Sequence, residues 1–514
     1  MIQVSKDIWG PLDAGENDPN FEKKFVRPNQ VEQALHQDNW IVTGTKGSGK
    51  TAILKHFAIV DVHDGPSNSI AAINFDNSNF EALYQHIKSL VAVTKVDPLI
   101  CLSSFWQFFI ISEGARALVR DNPDDEDVRH IAIPFISDEK KSTPFDQLLA
   151  QLSKLWGTVD EITSPTEVER ILPANLISRL AEGALTSEFK SHRSALVEWL
   201  QLNKRSLRVV LDGFDRVRMQ GHSKESLSIV FGSLMDAVYQ TRLLFGALSV
   251  ISIKALLPYD RVQRIDHRDR VKIDGISCLL SWDYESLQEF LLARLKLDAR
   301  LRNSQSFDLA WREVMPVTIT NGTYQVSENC YEYILRHTMY VPRHFQVILS
   351  KLCEVTSGRT IAPADIPKCV RECETKLYQY WIDEYHGDCA DLLAFCKSFL
   401  GKPNVLPFPD FRNLVEKSLD LLDPAWKPED AIDWLYSASF FGVVHNYSEQ
   451  DLVRGRVSGY CPPARDGHRY QVLYFHKDKD VSVSRAINDD DLIAIHPIFM
   501  HPLRLQAHPE IIAG

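Results

Sequence analysis

Residues 44–51 read Gly-Thr-Lys-Gly-Ser-Gly-Lys-Thr, a complete G-x-x-x-x-G-K-[ST] phosphate loop. Such a loop works only between a strand and a helix, because consecutive backbone N–H groups must wrap a polyphosphate and the helix N-terminus must face it. The flanks meet that demand. Trp40-Ile41-Val42-Thr43 is a short apolar strand, and residues 52–57 (AILKHF) continue as a helix. Gly44, Gly47 and Gly49 let the chain turn tightly and approach the phosphates. The expected cradle is Gly44, Thr45, Lys46, Gly47, Ser48, Gly49, Lys50 and Thr51. Lys50 would reach the β- and γ-phosphates, and the Thr51 hydroxyl would hold Mg²⁺.

A second element completes the pattern. Residues 207–211 (LRVVL) form a buried-type strand that ends in Asp212-Gly213-Phe214-Asp215-Arg216. A carboxylate at the carboxyl end of a parallel strand can face the phosphate loop beside it. Asp212 fits the acid that organises Mg²⁺, and Asp215, where the chain turns off the strand, fits a general base for the attacking water. The competing reading for both is a solvated turn residue. Thr94-Lys95-Val96-Asp97 has the letters of a guanine-recognition motif, but it precedes Asp212 by more than a hundred residues instead of following it. ATP is therefore the expected nucleotide.

The chain has 514 residues, enough for two to four domains. A net charge of −11 argues against a non-specific polyanion binder, although a local basic face remains compatible with it. Nine cysteines in this length make no disulfide framework. Cys369/Cys373 and Cys389/Cys396 lack the C-x₂-C spacing of a zinc knuckle. The first residues carry no basic-then-apolar leader pattern, and the longest apolar run, 100–112, is too short and too polar to span a bilayer. A cytoplasmic protein without a membrane segment is expected.

Four parts are expected: a leader over 1–37, a core over 38–275, a helical lid over 276–385, and a C-terminal unit over 386–514. In the core, residues 69–75 and 249–257 join the two strands already named, and strands alternating with helical stretches imply a parallel sheet. A long, mostly helical insertion runs from about 80 to 205, with an acidic surface loop at 121–127. In the C-terminal unit, helical stretches at 390–400, 411–421 and 428–436 precede strands at 440–444 and 470–475. Three helices and a β-hairpin make a winged helix.

The pair GTKGSGKT and VVLDGFDR resembles the STAND and AAA+-related P-loop ATPases, including the NACHT and KAP groups, and is most similar to bacterial P-loop ATPases linked to defence against phage. The resemblance covers about residues 20–350 at motif level. It implies an α/β P-loop NTPase core with a parallel sheet, followed by a helical lid and a winged-helix-like C-terminal domain. It also implies Asp212 for metal and Asp215 for water. Phe25-Val26-Arg27 and the helix after it are similar to the segment that encloses adenine in STAND proteins, although Pro28 stands where an acid is usual. Val341-Pro342-Arg343 is similar to the head of the lid helix whose arginine reaches the γ-phosphate, which makes Arg343 a third catalytic candidate beside Lys50 and Asp215. Lys254 is near the place of a polar sensor but is not of the usual type. The insertion between Lys50 and Asp212 departs from the simplest members and occurs in KAP-like relatives.

The function expected from this pattern is an ATP-hydrolysing switch that couples nucleotide state to assembly or partner activation, in antiviral defence by the resemblance. Homo-oligomers or a separate effector protein are the expected partners. Arg216, Arg261 and Arg264 are candidates for an arginine finger supplied to a neighbour. An alternative is a nucleic-acid-binding ATPase similar to origin-recognition proteins, with Arg454, Arg456, Arg465, His468 and Arg469 on a basic wing. Asp478, Asp480 and Asp489-Asp490-Asp491 oppose phosphate there. A scaffold that holds ATP without turning it over is the third reading.

Overall fold

Five short strands make one parallel sheet in the computed structural model. They are β1 (Ile41–Gly44), β2 (Asn68–Asn74), β3 (Ser206–Asp212), β4 (Ile251–Pro258) and β5 (Ser277–Leu279), in the order β2-β3-β4-β1-β5. The structure describes residues 2–14, 16–63, 68–75, 97–135, 187–216, 228–246, 250–263, 265, 270–447, 469–474, 487–508 and 511. The strand carrying Asp212 is not beside the phosphate-loop strand, as the sequence suggested; β4 lies between them. β5 falls beyond residue 275 and is too short to stand out as an apolar run.

Helix Lys50–His63 packs on β2 and β3. Helix Pro98–Asp121 packs on the same strands and against helix Ser233–Phe245. It starts where the Asp97 carboxylate accepts the Leu99 N–H at 2.9 Å and Pro98 fills the first turn. Leu102, Trp106, Phe109, Ile110 and Leu118 are buried at helical spacing. The 121–127 segment is a loop only as far as Asp125, which caps helix Glu126–Ala132 by accepting the Val128 N–H. Residues 136–186 of the expected insertion, and Thr94-Lys95-Val96, lie outside the described residues.

The chain divides into two compact units, one of Glu32–Lys46 and Lys50–Leu280, the other of Met1–Val31, Gly47–Gly49 and Ser281–Gly514. In the second unit the N-terminal segment is bound to helices that come much later in the chain. The buried Arg294 guanidinium donates to the carbonyls of Trp9, Lys24 and Phe290, and Gln346 donates to those of Trp9 and Pro11. Two segments within the part expected to be helical form the hairpin β6 (Thr318–Asn321) and β7 (Val326–Asn329). Its buried Glu328 pairs with Arg336 and accepts from Asn321 Nδ2 at 2.7 Å.

The C-terminal region is winged-helix-like. Helices Leu392–Lys397, Phe408–Lys417 and Pro428–Ser437 accompany a four-stranded antiparallel sheet of β8 (Val405–Pro407), β9 (Phe441–Tyr447), β10 (Arg469–Tyr474) and β11 (Leu492–Ile495), in the order β10-β9-β11-β8. The expected pair of strands is β9 with β10. β8 and β11 were not foreseen, because each offers only three or four apolar residues. Arg454, Arg456, Arg465, His468, Asp478 and Asp480 lie outside the described residues.

A buried acid in the second unit gives a stability prediction. Glu374 Oε1 lies 3.5 Å from His337 Nε2, and Glu374 Oε2 accepts the His501 N–H at 3.2 Å. Burial pushes Glu374 from an ordinary 4.5 up to about 8, against the lowering pull of the His501 N–H and Arg371, and brings His337 down to about 3. At neutral pH this is a contact of two uncharged groups. From about pH 4.5 to 8 the unfolded chain has released the Glu374 proton that the fold keeps, so this group's contribution falls as pH rises. His337 opposes it up to about pH 6.5, where the unfolded imidazole still binds a proton that the fold does not, so the net fall is read from about pH 6.5 to 8. The slope from this group is about 1.4 kcal/mol per pH unit. Glu374→Gln is expected to remove it, read as urea midpoints at the two ends of the window.

Candidate nucleotide site

The phosphate loop is organised around the Lys50 ammonium. Lys50 Nζ donates to the carbonyls of Gly44 at 2.8 Å and Thr45 at 3.1 Å, and lies 3.1 Å from Asp215 Oδ1. Thr51, one residue on at the start of helix Lys50–His63, donates its hydroxyl proton to Asp212 Oδ2 at 2.8 Å. The fold therefore brings Lys50, Thr51, Asp212 and Asp215 together across the carboxyl ends of β1 and β3, although β4 separates those strands.

Asp215 owes its place to the residues beside it. Gly213 has φ +88, in the left-handed region that the sharp exit from β3 requires. Phe214 then turns into the core, 4.8 Å from Phe75 and 5.9 Å from Phe231 by ring centroids, and fixes the short turn Phe214–Arg216. The Asp215 side chain keeps a quarter of its surface exposed, whereas Asp212 is almost fully buried. Burial raises the Asp212 carboxyl above the ordinary carboxylate range, against the Thr51 hydroxyl and the Gly213 N–H that stabilise its charge.

Thr51 and Asp212 suit a small hard cation. One hydroxyl and one carboxylate oxygen in contact are the usual protein share of a Mg²⁺ site, which keeps most of its ligands as water and phosphate. Among the described residues no cluster of three or more His, Cys, Asp or Glu offers a metal site of another kind. Among the described residues, Cys369, Cys373, Cys389 and Cys396 form no disulfide.

The tip of the loop, Gly47–Gly49, groups with the second unit. A Cβ on Gly47 would stand 2.9 Å from Val341 Cγ1 and 3.1 Å from Arg343 Cβ, and Gly47 itself has φ +84. Arg343 is thus beside the loop through its aliphatic part, while its Nε donates to the Leu12 carbonyl at 3.0 Å. The turn before it is strained: Met339 and Tyr340 have φ +47 and +54, unusual for large side chains. The Val341 N–H and His344 Nδ1 both donate to the Thr338 carbonyl, at 2.9 and 2.7 Å, and hold that turn at the head of helix Pro342–Val355. Gly47→Ala combines a backbone misfit of about 1–2 kcal/mol with a steric conflict against Val341. It is expected to weaken nucleotide binding at least about tenfold, measured with a fluorescent ATP analogue.

Two sequence readings change. Lys254 is not a sensor at the carboxyl end of β4. It sits inside the strand opposite Val210, where its ammonium donates to the carbonyls of Ala34, His36 and Asn39 and closes the turn before β1. Burial brings it down to about 8. Arg261 is not offered to a neighbouring subunit. It is buried, with Nη1 donating to the Phe214 carbonyl at 3.4 Å, behind the turn that carries Asp215. The Arg216 side chain and Arg264 lie outside the described residues. Trp282 was missed entirely: its indole N–H donates to the Ser48 carbonyl at 2.7 Å. No motif marks it, since one tryptophan at the start of a helical segment has no spacing to read.

No family model matches the chain, and no curated protein matches it. Among solved structures it is similar to Cdc6p from Pyrobaculum aerophilum, with 12% identity, a TM-score of 0.31, and 86% of this chain and 91% of that one covered. It is also similar to the ORC2 protein of Aeropyrum pernix, described in ADPNP–ADP complexes, with 12% identity, a TM-score of 0.36, and coverage of 93% and 95%. At those scores neither likeness assigns an activity to this chain.

Proposed function

We propose that this chain is an ATP-binding and ATP-hydrolysing switch of the AAA+ type. The observation that carries the reading is the convergence of Lys50 on Asp215 at 3.1 Å and of Thr51 on Asp212 at 2.8 Å, from segments more than 150 residues apart. A structural turn has no need of that set; a site for a nucleotide polyphosphate does. Loop N–H groups and Lys50 bind the phosphates, and Thr51 with Asp212 holds Mg²⁺, which supplies charge neutralisation when bound. Asp215 orients the attacking water and takes its proton. Arg343, seated beside Gly47, is the residue by which the helical segment over 276–385 follows the state of the loop. Assembly, a separate effector partner and a role in antiphage defence extend this reading on the strength of the family resemblance. Phosphate release from ATP by the purified chain tests it, with Mg²⁺ present and then removed by chelation.

A further inference from the structure

The Trp282 indole is held rigidly. It is buried, its ring meets Phe290 edge to face at 5.6 Å, and the next residue, Asp283, caps helix Tyr284–Leu295 through the Ser286 N–H at 2.8 Å. From that fixed position it binds the Ser48 carbonyl at 2.7 Å. The Ser48 side chain does not compete for this role: its buried hydroxyl has no hydrogen-bond partner among the described residues. The anchored atom is the main-chain oxygen.

That choice of atom has a geometric consequence. The carbonyl of residue 48 and the N–H of residue 49 belong to one planar trans peptide and point in opposite directions. A phosphate loop binds anions by turning successive N–H groups toward them, so its carbonyls must turn away. Gly49 has φ +107, and among the described residues a Cβ on it would meet nothing within 4 Å, so no packing at the Gly49 Cα restrains this peptide. The Trp282 bond supplies the missing restraint.

We propose that Trp282 is a positioning residue of the nucleotide site, locking the Ser48–Gly49 peptide with its N–H toward the phosphates of a nucleoside di- or triphosphate. The proposal rests on the reading of residues 44–51 as a nucleotide site. Its effect is on preorganisation: a loop already in the binding conformation spends less of the interaction free energy on ordering. Because both ADP and ATP present the same inner phosphates to the loop, both feel it alike.

Trp282→Phe keeps an aromatic ring against Phe290 and removes the N–H together with part of the indole, a truncation that the control below shares. It is expected to raise the Kd for ADP and for ATP by a similar factor of about ten. Turnover at saturating ATP should stay within about twofold, since the peptide is forced into place once the phosphates are bound. Trp311→Phe is the matched control. It truncates an indole in the same unit whose buried N–H has no hydrogen-bond partner among the described residues, so it should leave both Kd values unchanged. Wild-type affinity in Trp282→Phe overturns the proposal, and so does an equal loss in Trp311→Phe. Lys50→Ala run in parallel separates two failures. If it still binds nucleotide, the site itself is misassigned; if it does not bind while Trp282→Phe does so normally, only the role of Trp282 is wrong.

Discussion

Lys50→Ala is expected to lose nucleotide binding by at least about a hundredfold, which corresponds to about 2.7 kcal/mol. The ammonium is nearly buried and bound to the Gly44 and Thr45 carbonyls and to Asp215. A charge-assisted hydrogen bond to phosphate contributes about 1.5–3 kcal/mol, and losing the positive charge leaves the Asp215 carboxylate unopposed where further negative charge must enter. The fold should survive. The removed ion pair has one partner a quarter exposed, so its net contribution to stability is modest. The check is a titration with a fluorescent ATP analogue beside a thermal melt. An intact melt with retained micromolar affinity would show that ATP binds elsewhere.

The motifs were legible because each is a local run with a physical cause. GTKGSGKT needs its glycines and its lysine in adjacent positions, and a buried parallel strand ending in Asp212 reads as five consecutive apolar-rich residues. What stayed hidden depends on partners far away in the chain. That β4 intervenes between β1 and β3 follows from strand pairing, not from either strand's composition. β5 and β8 have three residues each, below the length at which period-two patterning can be read. Lys254 is on the strand expected from the sequence, but what it does there stayed hidden, because its three carbonyl acceptors come from the turn before β1. Arg261 is an arginine-finger candidate by sequence, and its burial, which depends on the fold around it, is not marked by its residue type. Trp282 acts through one main-chain oxygen, and a bond to backbone leaves no mark on the residue type that accepts it.

Asp215→Asn is expected to leave ATP bound and to lower turnover by about 10²–10⁴-fold, the usual share of a general base. Asn has nearly the same shape and can still hydrogen-bond Lys50, so the loop has no reason to rearrange; what it lacks is the capacity to take a proton. The geometry sets the sequence of events. The Lys50 ammonium is divided between the Gly44 and Thr45 carbonyls and Asp215. A phosphate oxygen drawing Lys50 away would release the Asp215 carboxylate at the exit of β3, next to where the terminal phosphate must lie. Phe214, packed on Phe75, and Arg261, bound to the Phe214 carbonyl, hold that exit from behind. The measurement is single-turnover phosphate release with wild type and Asp215→Asn at matched occupancy. A rate unchanged by the substitution would transfer the water to another group and leave Asp215 as the partner of Lys50 alone. A wild-type chain that binds ATP and releases no phosphate would turn the reading toward an ATP-bound scaffold, in which the Lys50–Asp215 contact reports occupancy and a second protein supplies what completes the reaction.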